Sequence, residues 1–199
     1  IGNNSTNLTI DGTGALEFRQ NGTTRMYLGS SALNPWLNNT YDLGASSLKW
    51  RDLYLSGGVY VGGTAAANKL DDYEEGTCSL KWSDGTNESS AITGRYTKIG
   101  RQVTVSNYVH GNISSLTSSA NILISGFPFP FADYGTFPVV TRNVNAPTGT
   151  INLVGFHNNS GQTAQLYFVI DNSNYVQVTV GDMNTGTNDC YFNITYQTS

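Results

Sequence analysis

Apolar and polar positions alternate along much of this chain, and the alternation changes character near residue 76. Beyond it, stretches such as Val103-Thr104-Val105 and Val176-Gln177-Val178-Thr179-Val180 place apolar side chains at every second position. A period of two marks a strand with one face toward a core. Strands are predicted at 77–82, 92–99, 102–110, 120–125, 137–142, 150–157, 164–170, 175–180 and 190–196. Ser83-Asp84-Gly85, Asn158-Asn159-Ser160-Gly161 and Asp171-Asn172-Ser173-Asn174 separate them with residues that accept turn dihedrals or bond back to their own backbone. About nine short strands at this spacing predict a β-sandwich or jelly roll. Its expected core is Val103, Val105, Ile122, Ile124, Leu166, Phe168, Val176, Val178, Val180, Phe192 and Ile194. Phe127-Pro128-Phe129-Pro130-Phe131 breaks the pattern, because alternate prolines withdraw ladder donors; it is expected at an edge or in a connection.

The first 75 residues read differently. Leu8, Ile10, Leu16 and Phe18 mark short extended pieces interrupted by Asp11-Gly12 and Thr13-Gly14. Alternating residues on both sides of Asn21-Gly22 predict a hairpin. Such a hairpin has little to bury, while ordering each residue costs about 1 to 2 kcal/mol of conformational entropy. Slender β pieces gain that stability when copies wrap together, so a homo-oligomer is expected, with threefold symmetry suited to a shaft. A disordered linker is the alternative. The join falls at 68–76, where Asp71, Asp72, Glu74 and Glu75 repel one another and favour exposure. The chain is therefore read as all-β, an intertwined trimeric β stalk and collar over 1–75 and a sandwich or jelly-roll tip over 76–199.

Composition supports strands over helices. Charged residues are 12% and glycines number 22, with no window offering an apolar stripe at helical spacing. A formal charge of -4 gives the surface no means of displacing counterions from nucleic acid, so no nucleic-acid partner is expected. No apolar run approaches a membrane span and no secretory leader opens the chain, so membrane insertion is not expected either. The start at Ile1 suggests a fragment or a processed chain. Cys78 and Cys190 are too few for a disulfide framework; buried thiols are expected, with one disulfide left open.

Asp42-Leu43-Gly44, the pair Ser46-Ser47, then Trp50, Leu53, Tyr54 and Leu55 before Gly57-Gly58 resemble a segment that recurs in the stalks of trimeric bacteriophage tail fibres. The stretch 68–77, with Gly94-Arg95-Tyr96-Thr97-Lys98-Ile99-Gly100 and Val103-Thr104-Val105, is similar to the start of the globular tip in such fibres. About a third of the chain carries the likeness. Where relatives of the pattern commonly continue with an aromatic residue and a proline, this chain has Cys78-Ser79-Leu80, which bears on the detail of the first strand. No chaperone segment like those that end some fibres follows Tyr196. The resemblance implies a homotrimer joined to the upstream fibre and the virion tail, acting outside the host cell in host attachment.

Chemistry offers fewer handles. Neighbouring carboxylates on an extended chain point to opposite faces, so the acidic cluster makes no glycosidase pair. Gathered from three chains it could hold a cation through oxygen ligands, but Lys69, Arg95 and Lys98 favour a salt-bridged or solvated collar, and no metal is assigned. His110 and His157 lie in no metal-ligand or nucleophile spacing and are expected at the surface or in subunit contacts. No phosphate loop is present, and no cofactor is expected. What remains is the mix of aromatic rings and amides in the predicted loops, which suits sugars. The candidate receptor-binding residues are Phe131, Asp133 and Tyr134; His157, Asn158 and Asn159; Asn174 and Tyr175; Asp182, Asn184, Asn188 and Asp189. The expected function is adhesion to a host cell-surface polysaccharide or other receptor, without catalysis. A structural virion fibre or decoration protein and a glycan-degrading tailspike are the alternatives.

Overall fold

The computed structural model describes residues 14–199 apart from 71, 160 and 185, Ala67 by its backbone alone, and the backbone of Asn3–Asn4 and Asn7–Leu8. The protein is all-β, with 52% of residues in strands and 3% helical. It divides into two units, Ile1–Leu55 and Ser56–Ser199. This division falls upstream of residue 75, and one strand, 73–83, runs across the join expected there.

In the first unit β1 (Asn3–Asn4) pairs with β2 (Asn7–Leu8), while β3 (Leu16–Gln20), β4 (Thr23–Leu28) and β5 (Leu33–Pro35) form an antiparallel sheet. The predicted hairpin is present between β3 and β4. Asn21 and Gly22 both take left-handed backbone, φ 51° and 76°, the two-residue turn whose twist matches that of the flanking strands. Ile10 and the Asp11-Gly12 turn lie outside the described residues. From Trp36 to Leu55 no strand forms, and Ala45 and Leu48 make an isolated bridge. Leu43, Leu48, Trp50, Leu53 and Tyr54 are each 66% to 88% exposed.

The second unit opens with β6 (Val59–Tyr60) paired to β7 (Lys69–Leu70). Then come β8 (Tyr73–Ser83), β9 (Ile92–Ile99), β10 (Gln102–Asn112), β11 (Leu123–Ser125), β12 (Gly135–Arg142), β13 (Thr150–His157), β14 (Thr163–Ile170), β15 (Val176–Gln177) and β16 (Thr187–Gln197). The ladder order is β11-β8-β9-β10-β16-β12-β13-β14-β15, and β11 also pairs with β14, so eight strands close a ring with β15 added outside it. Two strands turn the corners between the layers. β8 pairs with β9 through Leu80 and with β11 from Lys81; β12 pairs with β13 through Pro138 and with β16 from Val139. The layers are sandwich-like and entirely antiparallel.

Inside lie Leu80, Trp82, Val103, Val105, Ile122, Ile124, Leu166, Phe168, Val178, Phe192 and Ile194. Alternation works because each strand of the ring has one face toward this core. Val176 is the exception among the predicted core residues. The stretch 175–180 is not one strand: β15 ends at Gln177, and a single 3-10 turn, Val180–Asp182, follows. β15 is also last in its sheet, with no neighbour beyond it among the described residues, and Val176 is 46% exposed.

The Phe-Pro run is a connection, between β11 and β12, as its prolines require. Phe127 and Phe131 point into the core, and Phe129 packs edge-on against Tyr96 with ring centroids 5.4 Å apart. The Lys98 ammonium lies 5.5 Å from the Phe129 ring and binds the Asp72 carboxylate. Cys78 and Cys190 are free buried thiols, and burial pushes Cys190 up to about 12.

Candidate aromatic groove on the outer sheet face

Register sorts the predicted site residues into two ends of the sandwich. Gly135 faces His157 across β12 and β13, which puts Phe131, Asp133, Tyr134, His157, Asn158 and Asn159 at the end where the chain enters β8. Asp182, Asn184, Asn188 and Asp189 lie toward the opposite end, near the β14–β15 turn that carries Asn174 and Tyr175.

Four of these residues are interior. Phe131 and His157 are each 2% exposed, with ring centroids 4.5 Å apart and planes 22° from parallel. The Nδ1 of His157 lies 3.2 Å from the Asp133 carbonyl, and burial lowers the imidazole pKa more than the nearby Asp133 carboxylate raises it. His157 is therefore a core residue, a correction to its expected surface place: β13 ends there with its even-numbered neighbour Phe156 outward. Asn188 and Asp189 belong to β16 and not to a loop. Asn188 is fully buried and donates to the carbonyls of Asn184 and Gly186 at 2.9 and 3.2 Å. Asp189 is covered by Arg142 and His110. Their sequence context of Asn, Thr and Gly looks like a turn, but Cys190 to Tyr196 extend it as strand.

Other predicted residues serve their own turns. Asp182 closes a reciprocal cap with Thr179, accepting from its backbone N–H at 2.8 Å and its hydroxyl at 2.7 Å. Asn184 accepts a bond from the Asn145 amide at 2.8 Å, joining two loops. Asn159 and Asn174 are exposed and Asn158 is half-buried. In the acidic collar Asp72 binds Lys98, while Glu74 accepts from the Tyr96 hydroxyl and Glu75 from the Tyr73 hydroxyl; Asp71 lies outside the described residues. Among the described residues no group of three His, Cys, Asp or Glu side chains is placed to hold one metal ion. No helix among them is long and apolar enough to cross a membrane.

Tyr134 and Tyr175, in contrast, meet a shared feature. A chain of ring contacts runs Tyr134–Phe156–Tyr167–Tyr175 with centroid separations of 6.3, 5.7 and 5.3 Å. The last two contacts are edge-to-face, the arrangement favoured by the ring quadrupole. With Thr136, Val154 and Val169, the rings of Phe156, Tyr167 and Tyr175 line a groove of about 320 Å³ on the outer face of β12, β13 and β14, and Tyr134 leans on it through Phe156. No charged side chain lines it. The Tyr167 hydroxyl donates to the Gln165 carboxamide at 2.8 Å, and burial pushes its phenol pKa up. Gln177, directly across the ladder from Tyr167, keeps a buried Nε2 with no partner among the described residues. An apolar trough with neutral amide and hydroxyl groups beside it suits a ligand with C–H faces and hydroxyls.

Phe156 and Tyr167 are not among the loop residues expected to bind. The signal was available: Leu166 and Phe168 read as core, so Tyr167 between them had to point outward. No protein-family model matches the chain, and no curated protein matches it.

Proposed function

We propose that the chain is the C-terminal part of a trimeric phage tail fibre, a stalk followed by a tip that holds a host-surface glycan and does not cut it. The groove of Phe156, Tyr167 and Tyr175, with Tyr134 against Phe156, carries the adhesion reading. Its rings offer contact area at small rotamer cost, and its uncharged lining matches neutral sugar units. Phe156 and Tyr167 stand on paired strands, which hold a binding surface in place more firmly than loops do. The exposed apolar run from Leu43 to Leu55 supports the trimeric stalk, since sister copies would cover what one chain leaves in water. Three tips on one shaft make a weak site effective, because avidity can exceed single-site affinity by about 10² to 10⁴.

The test is binding of the purified protein to host cells with and without enzymatic removal of surface polysaccharide. Adhesion that survives complete deglycosylation, or that is unaffected by Tyr167→Ala and Phe156→Ala together, defeats the reading. New reducing ends on incubation with the polysaccharide would assign cutting in place of holding.

A further inference from the structure

The outer face of β9, β10, β16 and β12 carries a second arrangement that the groove does not use. His110, Asp189 and Arg142 stand in register on three adjacent strands. Asp189 is on the solvent-facing side of β16 and yet only 4% exposed, because its neighbours lie over it. One carboxylate oxygen accepts from His110 Nδ1 at 2.5 Å and the other from Arg142 at 2.7 Å. Burying a carboxylate is costly unless it is paired, and the pairing fixes the direction of both donors. The remaining N–H groups of Arg142 are left for another acceptor, on a side chain that is well exposed.

Two residues along, Tyr108 stacks on Tyr191 with centroids 5.2 Å apart and planes 19° from parallel. Together with Pro138 and Val140 they line a shallow hollow of about 560 Å³. Arg95 stands opposite Ser106, which lines the hollow, on the neighbouring strand and has no ion pair among the described residues. Two arginines against one carboxylate make this face locally positive on a chain whose formal charge is -4.

We propose that this face is a second binding site, for an acidic sugar: a pyranose ring whose C–H face rests on the Tyr191 and Val140 surface while its carboxylate meets Arg142, with Arg95 adding long-range attraction. Arg is suited to a carboxylate because its planar fork donates two parallel bonds. The inference rests on the adhesion reading only for the source of the sugar, and its test stands apart from cell binding.

An oligomer of glucuronic acid, with a neutral glucose oligomer of the same length as control, is titrated against the intact protein by calorimetry. The acidic oligomer is expected to bind at least about tenfold more tightly, and less tightly as salt is raised. Arg142→Gln and Tyr191→Ala should each cost about tenfold or more. Arg95→Gln, which breaks no ion pair among the described residues, should cost less and flatten the salt dependence, and it keeps the test open if Arg142→Gln leaves Asp189 unpaired and unfolds. Equal affinity for both oligomers overturns the proposal. So does unchanged binding in Arg95→Gln and Tyr191→Ala, or a fall in solution mass with Tyr191→Ala, which would assign the face to a contact between copies. Loss of cell adhesion in the groove variants with acidic-sugar binding intact would leave this site standing alone.

Discussion

His157 lies flat against Phe131, ring on ring, with Gly135 across the ladder from it. A Cβ at Gly135 would come 2.3 Å from His157 Nε2, so the glycine makes the room that the buried imidazole occupies. Burial lowers the His157 pKa below its ordinary value, and the Asp133 carboxylate 3.7 Å away offsets part of the effect. The unfolded chain then takes up a proton first as pH falls below about 6.5. Stability contributed by neutral His157 is complete above that pH and is lost as pH falls through the folded value. Urea midpoints measured from pH 7.5 to 5 should decline, and His157→Phe should flatten the decline.

Asp84 acts in the acid range. Its carboxylate accepts the backbone N–H groups of Asn87, Thr86 and Thr117 at 2.6, 2.8 and 2.8 Å, and these bonds with the Asn87 side chain hold its pKa well below the usual range. The stabilisation is present above about pH 4 and lost as pH falls toward the folded value. Asp84→Ala should weaken that acid-side dependence. Amide exchange at Thr86, Asn87 and Thr117 should accelerate at neutral pH, since one side chain ties two loops.

Gly126 and Gly161 both hold left-handed backbone, φ +89° and +84°, in different surroundings. A Cβ on Gly126 would sit 1.9 Å from the Ser79 carbonyl oxygen, whereas one on Gly161 meets nothing within 4 Å. Gly126→Ala should cost about 3 kcal/mol or more from clash and strain together. Gly161→Ala should cost about 1 kcal/mol from backbone strain alone. Denaturant melts of the two variants give the comparison directly.

Trp50 and Leu53 are about two-thirds exposed in the single chain, so replacing both with Ser removes little internal packing. Light scattering should give three chains for the wild type and a lower mass for the double variant, with the far-UV spectrum of the tip strands retained. A wild-type mass of one chain would refute the stalk assembly.

Much of the second unit was legible because alternation and turn residues agree there. Two predicted strands, 92–99 and 150–157, match the observed limits, and the Asn21-Gly22 hairpin is where the left-handed pair puts it. The misses come from information that periodicity does not hold. Val176 alternates correctly, but only the sheet order shows that its strand is the outermost. Asn188 and Asp189 have the composition of a loop, and their strand is imposed by the long β10 partner, which pairs with β16 from Asn112 through Gln102. The candidate site was half legible. Tyr134 and Tyr175 were identified individually, while the ring chain that links them depends on Phe156 and Tyr167 being brought between them by the β13–β14 ladder.

The strand that joins β10 to β12 is β16, the last of the ring in chain order. A ribosome making this protein therefore releases every other stave of the barrel before the one that locks it. Until residue 197 has cleared the exit tunnel, β10 and the far half of β12 present unmatched edges to their surroundings. A chain cut short before Thr187 should be open and sticky, whatever the quality of the core already assembled.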